Sequence, residues 1–155
     1  MQIRLAEPTD LASIASVLRE SFLEFKSSYT DEAFAATTPR SEELRRCMDE
    51  GPVWVALQDE TVVGTVSAVP DGRALYIRSM AVLPRARGHG IGELLLHHVE
   101  NFAYEWGFKR LFLSTTPFLT SAIRLYERFG FRRSSGGPKD LFGTPLFTMV
   151  KQAET

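Results

Sequence analysis

The chain has 155 residues, of which 44% are hydrophobic and 24% charged, the balance of one globular domain with a real core. Its net charge of −1, with Lys and Arg scattered among Asp and Glu, argues against a nucleic-acid binder. A single cysteine, Cys47, rules out an internal disulfide and any Cys/His zinc spacing, and no stretch is apolar enough for a signal peptide or a membrane span. The expectation is one domain over residues 1–155, soluble in the reducing cytoplasm, with no metal, no nucleic acid and no membrane partner.

Gln2 to Ala6 reads as a short strand. Thr9 or Asp10 is placed to cap a helix whose Leu11, Ile14, Leu18, Phe22 and Phe25 recur at three- and four-residue steps. K-S-S-Y-T-D reads as irregular. A second short helix follows, with Thr38 as its cap, Pro39 in its first position and Gly51-Pro52 as its stop. Three strands then form a meander: Val53–Leu57, Thr61–Val69 and Ala74–Val82, joined at Asp59-Glu60 and at Asp71-Gly72.

After Pro84 the pattern turns helical, with Ile91, Leu94, Leu95, His98, Phe102 and Trp106 on one face and Gly107 as the stop. Arg110–Ser114 is short and almost wholly apolar, as a strand in the middle of a sheet should be. Another helix runs to Phe129-Gly130, and two last strands lie around the loop S-S-G-G-P-K-D. A right-handed crossover from Ala74–Val82 through a helix to Arg110–Ser114 makes that pair parallel within a mostly antiparallel sheet of about seven strands. The fold class is thus α/β with a mixed sheet.

The stretch R-G-H-G-I-G, Arg87 to Gly92, carries the chemistry. Glycine is a poor helix former, yet a helix starts here. A helix N-terminus offers free N–H groups and a partial positive charge, and glycines let the backbone close around a bulky anion. Arg85 and Arg87 add positive charge at the rim. The loop lacks the G-K-[ST] of a nucleotide P-loop, and Glu93 stands where a dinucleotide fingerprint needs its last glycine. The residues alone give an anion site with an unnamed ligand.

R-G-H-G-I-G resembles the [R/Q]-x-x-G-x-[G/A] loop of the GNAT superfamily of N-acetyltransferases, with Arg87, Gly90 and Gly92 as the fixed positions. M-A-V-L-P, Met80 to Pro84, resembles the end of that family's fourth strand, and A-I-R-L-Y-E-R-F-G-F, Ala122 to Phe131, resembles its A-x-x-L-Y-E-x-x-G-F block. The resemblance implies a three-layer αβα sandwich with a splayed sheet and acetyl-CoA as co-substrate. It puts pantetheine against Met80, Ala81 and Val82, and the pyrophosphate against Arg87, Gly88, His89, Gly90, Ile91 and Gly92. It makes Tyr126 the general acid that protonates the departing thiolate.

Two positions depart from the pattern. Leu119 stands where many relatives have an Asn on pantetheine, so Thr120 or Ser121 must take that contact. The fourth strand has no carboxylate, which leaves Glu20, Glu24 or water as the base. Cys47 shares a face with Leu44 and Met48 and reads as packing, and Arg78 reads as an acceptor contact or a surface ion pair. Phe22, Phe25, Tyr29 and Phe34 read as core or as an acceptor lid. The expected activity is acetyl transfer to a small-molecule amine. A peptide or protein amine acceptor and a non-catalytic acyl-CoA-binding module are the alternatives. Thr144–Val150 is a candidate edge strand for a homodimer.

Overall fold

The structure is a computed structural model and describes residues 1–153. Nine strands and five α-helices follow in order. They are β1 (Gln2–Leu5), α1 (Leu11–Phe22), α2 (Asp31–Thr37), α3 (Ser41–Glu50), β2 (Val53–Gln58), β3 (Thr61–Asp71) and β4 (Ala74–Val82). Then come α4 (Ile91–Glu105), β5 (Arg110–Thr115), α5 (Thr120–Phe129), β6 (Arg132–Ser134), β7 (Asp140–Leu141), β8 (Thr144–Pro145) and β9 (Phe147–Gln152). Seven strands form one sheet in the order β1-β2-β3-β4-β5-β9-β6, and β7 and β8 form a separate ribbon. Only β4 and β5 run parallel. This is the mixed αβα sandwich expected. Among the described residues no helix is long and apolar enough to cross a membrane.

Helix α1 buries Leu11, Ile14, Val17 and Leu18 against β3 and β4 and packs beside α3. Helix α4 lies over β2 to β5 and meets α5. Its buried line is Ile91, Leu95, Leu96, Val99 and Ala103, which corrects the expected face. Leu94 and Trp106 are exposed, at 41% and 70%, because the helix axis sets a line of four-residue steps against the sheet.

The segment after α1 is more ordered than its polar sequence suggests. A 3₁₀ stretch, Leu23–Ser28, leads to α2, whose N-cap is Thr30: its Oγ1 accepts from Ala33 N–H at 3.2 Å. Thr38 does not cap α3. It ends α2, where its hydroxyl donates to the Phe34 carbonyl at 2.7 Å. Helix α3 begins later, and the Glu43 carboxylate accepts from the Arg40 N–H at 3.2 Å. Tyr29, Ala33 and Phe34 form a second small core, joined by Phe25, Phe118 and Leu141.

Thr144–Val150 is not an edge. Thr144 and Pro145 belong to the small ribbon, while β9 is hydrogen-bonded on both sides, by β5 and by β6. The outer strands of the sheet are β1 and β6. Strand β6 covers Thr148 to Val150 on the side of β9 away from β5.

Asp10, expected as a side-chain cap, instead pins β1. Arg4 donates to both of its oxygens, at 2.7 and 3.1 Å, and the Glu7 N–H donates at 2.7 Å. The Arg4 hydrogen bond is the main reason the Asp10 carboxyl titrates below its ordinary value of 3.8. A lowered folded-state value contributes stability that is complete above the unfolded value and is lost as pH falls through the folded one. Asp10→Asn is therefore expected to be less stable than the parent at neutral pH, with the gap closing as pH drops below about 3.8 in an acid-unfolding series. A gap independent of pH would mean the carboxylate charge is not what stabilises.

Candidate functional site

The site begins with a fault in the sheet. Strand β4 pairs with β5 over three positions only, Ala74 to Tyr76 against Arg110 to Phe112. Beyond Tyr76 the two strands part. The cause is local. The register of β3 with β4 slips between Thr65, opposite Ala81, and Ser67, opposite Arg78. This bulge holds Ser79 at a φ of +53°, in the left-handed region that a non-glycine residue rarely adopts. A bulge bends its strand and adds twist, which here turns Met80, Ala81 and Val82 away from β5.

The gap opens into a cleft of about 470 Å³. Met80, Ala81 and Val82 form one wall, and Gly88, Gly90, Ile91 and Gly92 turn its rim into α4. Gly88 and Gly90 have φ of +84° and +76°, a conformation that turns the chain sharply and that side chains resist. Gly92 serves packing instead. A Cβ on it would stand 2.7 Å from Leu125 Cδ2, so its absence lets α4 close on α5. Across the gap, α5 contributes Ser121, Ala122, Leu125, Tyr126 and Arg128.

Tyr126 is 8% exposed and lines the cleft, with Phe131 edge-on to its ring. Burial pushes its phenol up to about 12, and the nearby Tyr29 phenol adds to the rise. It therefore keeps its proton across the neutral range, as a proton donor must.

Of the residues expected in the site, all but His89 line the cleft; His89 is exposed on the loop. Leu119 and Ser121 line it, and Thr120 does not. The expected rim charges are committed elsewhere. Arg87 donates to Glu24 at 2.7 Å and to the carbonyls of Val82 and Ser21 at 3.2 and 3.1 Å. Arg85 lies 3.8 Å from Glu20, in a separate polar groove with Arg4 and Asp10. Glu20 is thus outside the cleft. Of these two candidate bases, Glu24, at the start of the 3₁₀ stretch, lines it.

Arg78 pairs with Glu50 at 2.6 Å. Cys47 is half-buried, and burial raises its thiol. His97 packs edge-on to Phe129, and His98 Nδ1 donates to the Leu94 carbonyl. Phe22 and Phe25 line the cleft, while Tyr29 and Phe34 sit behind them in the second core. The residue that sequence reasoning passed over is Arg128. It sits inside a matched block, at a position the block leaves free.

Comparison with known proteins agrees with this framework. The profile of the acetyltransferase (GNAT) family matches residues 12–131. An uncharacterised N-acetyltransferase of Escherichia coli, YjgM, is 32% identical over 128 residues, 79% of this chain and 76% of its own length. Human N-acetyltransferase 8B is 34% identical over 87 residues, but the chain spans only 38% of that protein. Among solved structures, a PaiA N-acetyltransferase of Thermoplasma acidophilum in complex with coenzyme A superposes with a TM-score of 0.83 at 19% identity, covering 98% of this chain and 99% of that one. YncA of Salmonella typhimurium, with acetyl-CoA, gives 0.76 at 24% identity, over 100% and 95%. These two likenesses are likenesses of fold.

By class the protein is an acyltransferase. The chain belongs to the acetyltransferase (GNAT) family.

Proposed function

We propose that the protein moves the acetyl group of acetyl-CoA to the primary amine of a small molecule, by direct attack in a ternary complex. The observation that carries this reading is the split between β4 and β5, with a glycine-turned helix start at its rim and one buried phenol on its far wall. The cleft suits a long ligand with an anionic middle. Its pyrophosphate lies on the N–H groups from Arg87 to Gly92, His89 included, where backbone donors and helix dipole act together. Pantetheine follows Met80, Ala81 and Val82, which have no partner in β5. A backbone N–H there polarises the thioester carbonyl. Ser121 supplies the polar contact that Leu119 cannot. The coenzyme A and acetyl-CoA held by the two solved relatives support this choice of ligand.

The acceptor amine arrives mostly protonated, since a free alkylamine has a pKa near ~10.4. Glu24, or water entering at the mouth, takes its proton. The neutral amine attacks the acetyl carbon, the C–S bond breaks, and Tyr126 protonates the leaving thiolate. The acceptor side favours a small molecule. Thr30 N–H donates to Thr144 Oγ1 at 3.0 Å and Thr30 Oγ1 to the Phe142 carbonyl at 2.8 Å. These bonds tie the segment before α2 to the β7–β8 ribbon, where an extended peptide would need an open groove. Phe22 and Phe25 suit an apolar or aromatic group beside the amine. The single half-buried Cys47 is at home in a reducing cytoplasm.

The test is to incubate the protein with acetyl-CoA and a panel of small amines and peptides while following free thiol. Thiol is expected only with an amine, and fastest with a small one bearing an apolar group. Release with peptides alone would move the acceptor to protein. Tight acetyl-CoA binding with no release for any amine would overturn the transfer reading.

A further inference from the structure

Resting on the acyl-CoA reading, we infer that Arg128 binds the 3′-phosphate of the coenzyme and so makes the cleft select CoA over its dephosphorylated form. Two arginines line the cleft, and they differ. Arg87 spends its donors on Glu24, Val82 and Ser21. Arg128, among the described residues, makes no ion pair or side-chain hydrogen bond.

Its position on α5 gives the free charge a direction. At about 100° per residue, Arg128 and Tyr126 flank Leu125 on opposite sides of the helix face that meets the cleft. Tyr126 is on the buried flank and Arg128 on the exposed one. Leu125 itself is the side chain against Gly92, in the first turn of α4. Arg128 therefore stands one turn beyond the junction of α5 with the pyrophosphate loop, on the solvent side. A ligand with its thioester at Tyr126 and its pyrophosphate on the loop must send its nucleotide out past this side chain. The group that CoA carries there, and a simpler pyrophosphate ester lacks, is a terminal phosphate. Glu93, in the first turn of α4, also lines the cleft, 3.9 Å from His97, and opposes any anion. That opposition makes a guanidinium more useful. A planar fork also matches phosphate geometry better than a lysine would.

A simpler role for Arg128 is to favour the helix dipole from the last turn of α5. Calorimetric titration with CoA and with 3′-dephospho-CoA separates the two. The parent is expected to bind CoA at least about tenfold more tightly than dephospho-CoA. Arg128→Gln should lose that preference by binding CoA about tenfold more weakly, with dephospho-CoA binding unchanged, and Arg128→Lys should keep part of it. Unchanged dephospho-CoA binding also shows that the variant is folded. An equal loss for both ligands, or no loss for either, overturns the inference while leaving the acyl-CoA reading intact. Failure of the parent to bind either form overturns both.

Discussion

Tyr126→Phe is expected to transfer acetyl about a hundredfold more slowly, or worse, while binding acetyl-CoA as tightly as the parent. The substitution removes one oxygen and keeps the ring, so its packing on Phe131 survives. What is lost is the proton for the departing thiolate. Among the cleft's side chains, Tyr126 joins burial to a phenol raised to about 12, which stays protonated throughout a working pH range. Positioned proton donors contribute about 10²- to 10⁴-fold. Acetyl-CoA affinity should not move, because the substitution leaves the proposed coenzyme contacts in place: the backbone of Met80 to Val82 and of the loop, and the side chains of Ser121 and Arg128. Fitted steady-state constants should show kcat and kcat/KM falling together. The parent's pH profile should show no fall from Tyr126 in the neutral and mildly alkaline range, because burial raises its phenol above the ordinary value. Unchanged turnover would remove Tyr126 from the chemistry.

Gly90→Val is expected to act on the other half of the site, weakening acetyl-CoA binding about tenfold or more. Gly90 has a φ of +76°, which costs a β-branched residue about 1–2 kcal/mol to hold. Nothing lies within 4 Å of a Cβ built there, so the chain has room for the new side chain. The damage falls on the ligand, whose approach to the loop N–H groups the side chain blocks. Gly92→Val provides the contrast. Its Cβ would meet the tip of the Leu125 side chain, Cδ2, at 2.7 Å, so Leu125 must repack and the melting temperature should fall. Binding by Gly90→Val equal to the parent's would show that the loop is not the pyrophosphate site.

The turn into α4 and the strand before it were legible in the sequence because their signals are local. Glycine and proline punctuate the chain between Pro84 and Gly92, and Ala74–Val82 reads as a strand from its own composition. Helix α2 was not legible. Its seven residues, D-E-A-F-A-A-T, are too few for a periodic face, and what fixes it is tertiary: Phe34 packs with Tyr29, and Thr30 is bonded to the distant β7–β8 ribbon. The T-P-R that follows imitates a helix start, which drew the cap of α3 to Thr38. The place of β9 was hidden for another reason. Alternation shows which face of a strand is buried, but not which strands flank it. The Arg87–Glu24 pair joins residues far apart in sequence, and no pattern encodes it.

The short pairing of β4 with β5 also bears on how this protein can be tuned from a distance. β5 is held by three residue pairs on the cleft side and by six on the other, where Arg110 to Thr115 run along β9. The angle of the cleft is therefore governed from behind, by a strand that lines none of it. A substitution at Met149 or Thr148 that tilts β9 would swing β5, and α5 with it, and so change the reach between Tyr126 and the loop. Affinity and rate in this fold can drift through a hinge that no ligand ever meets.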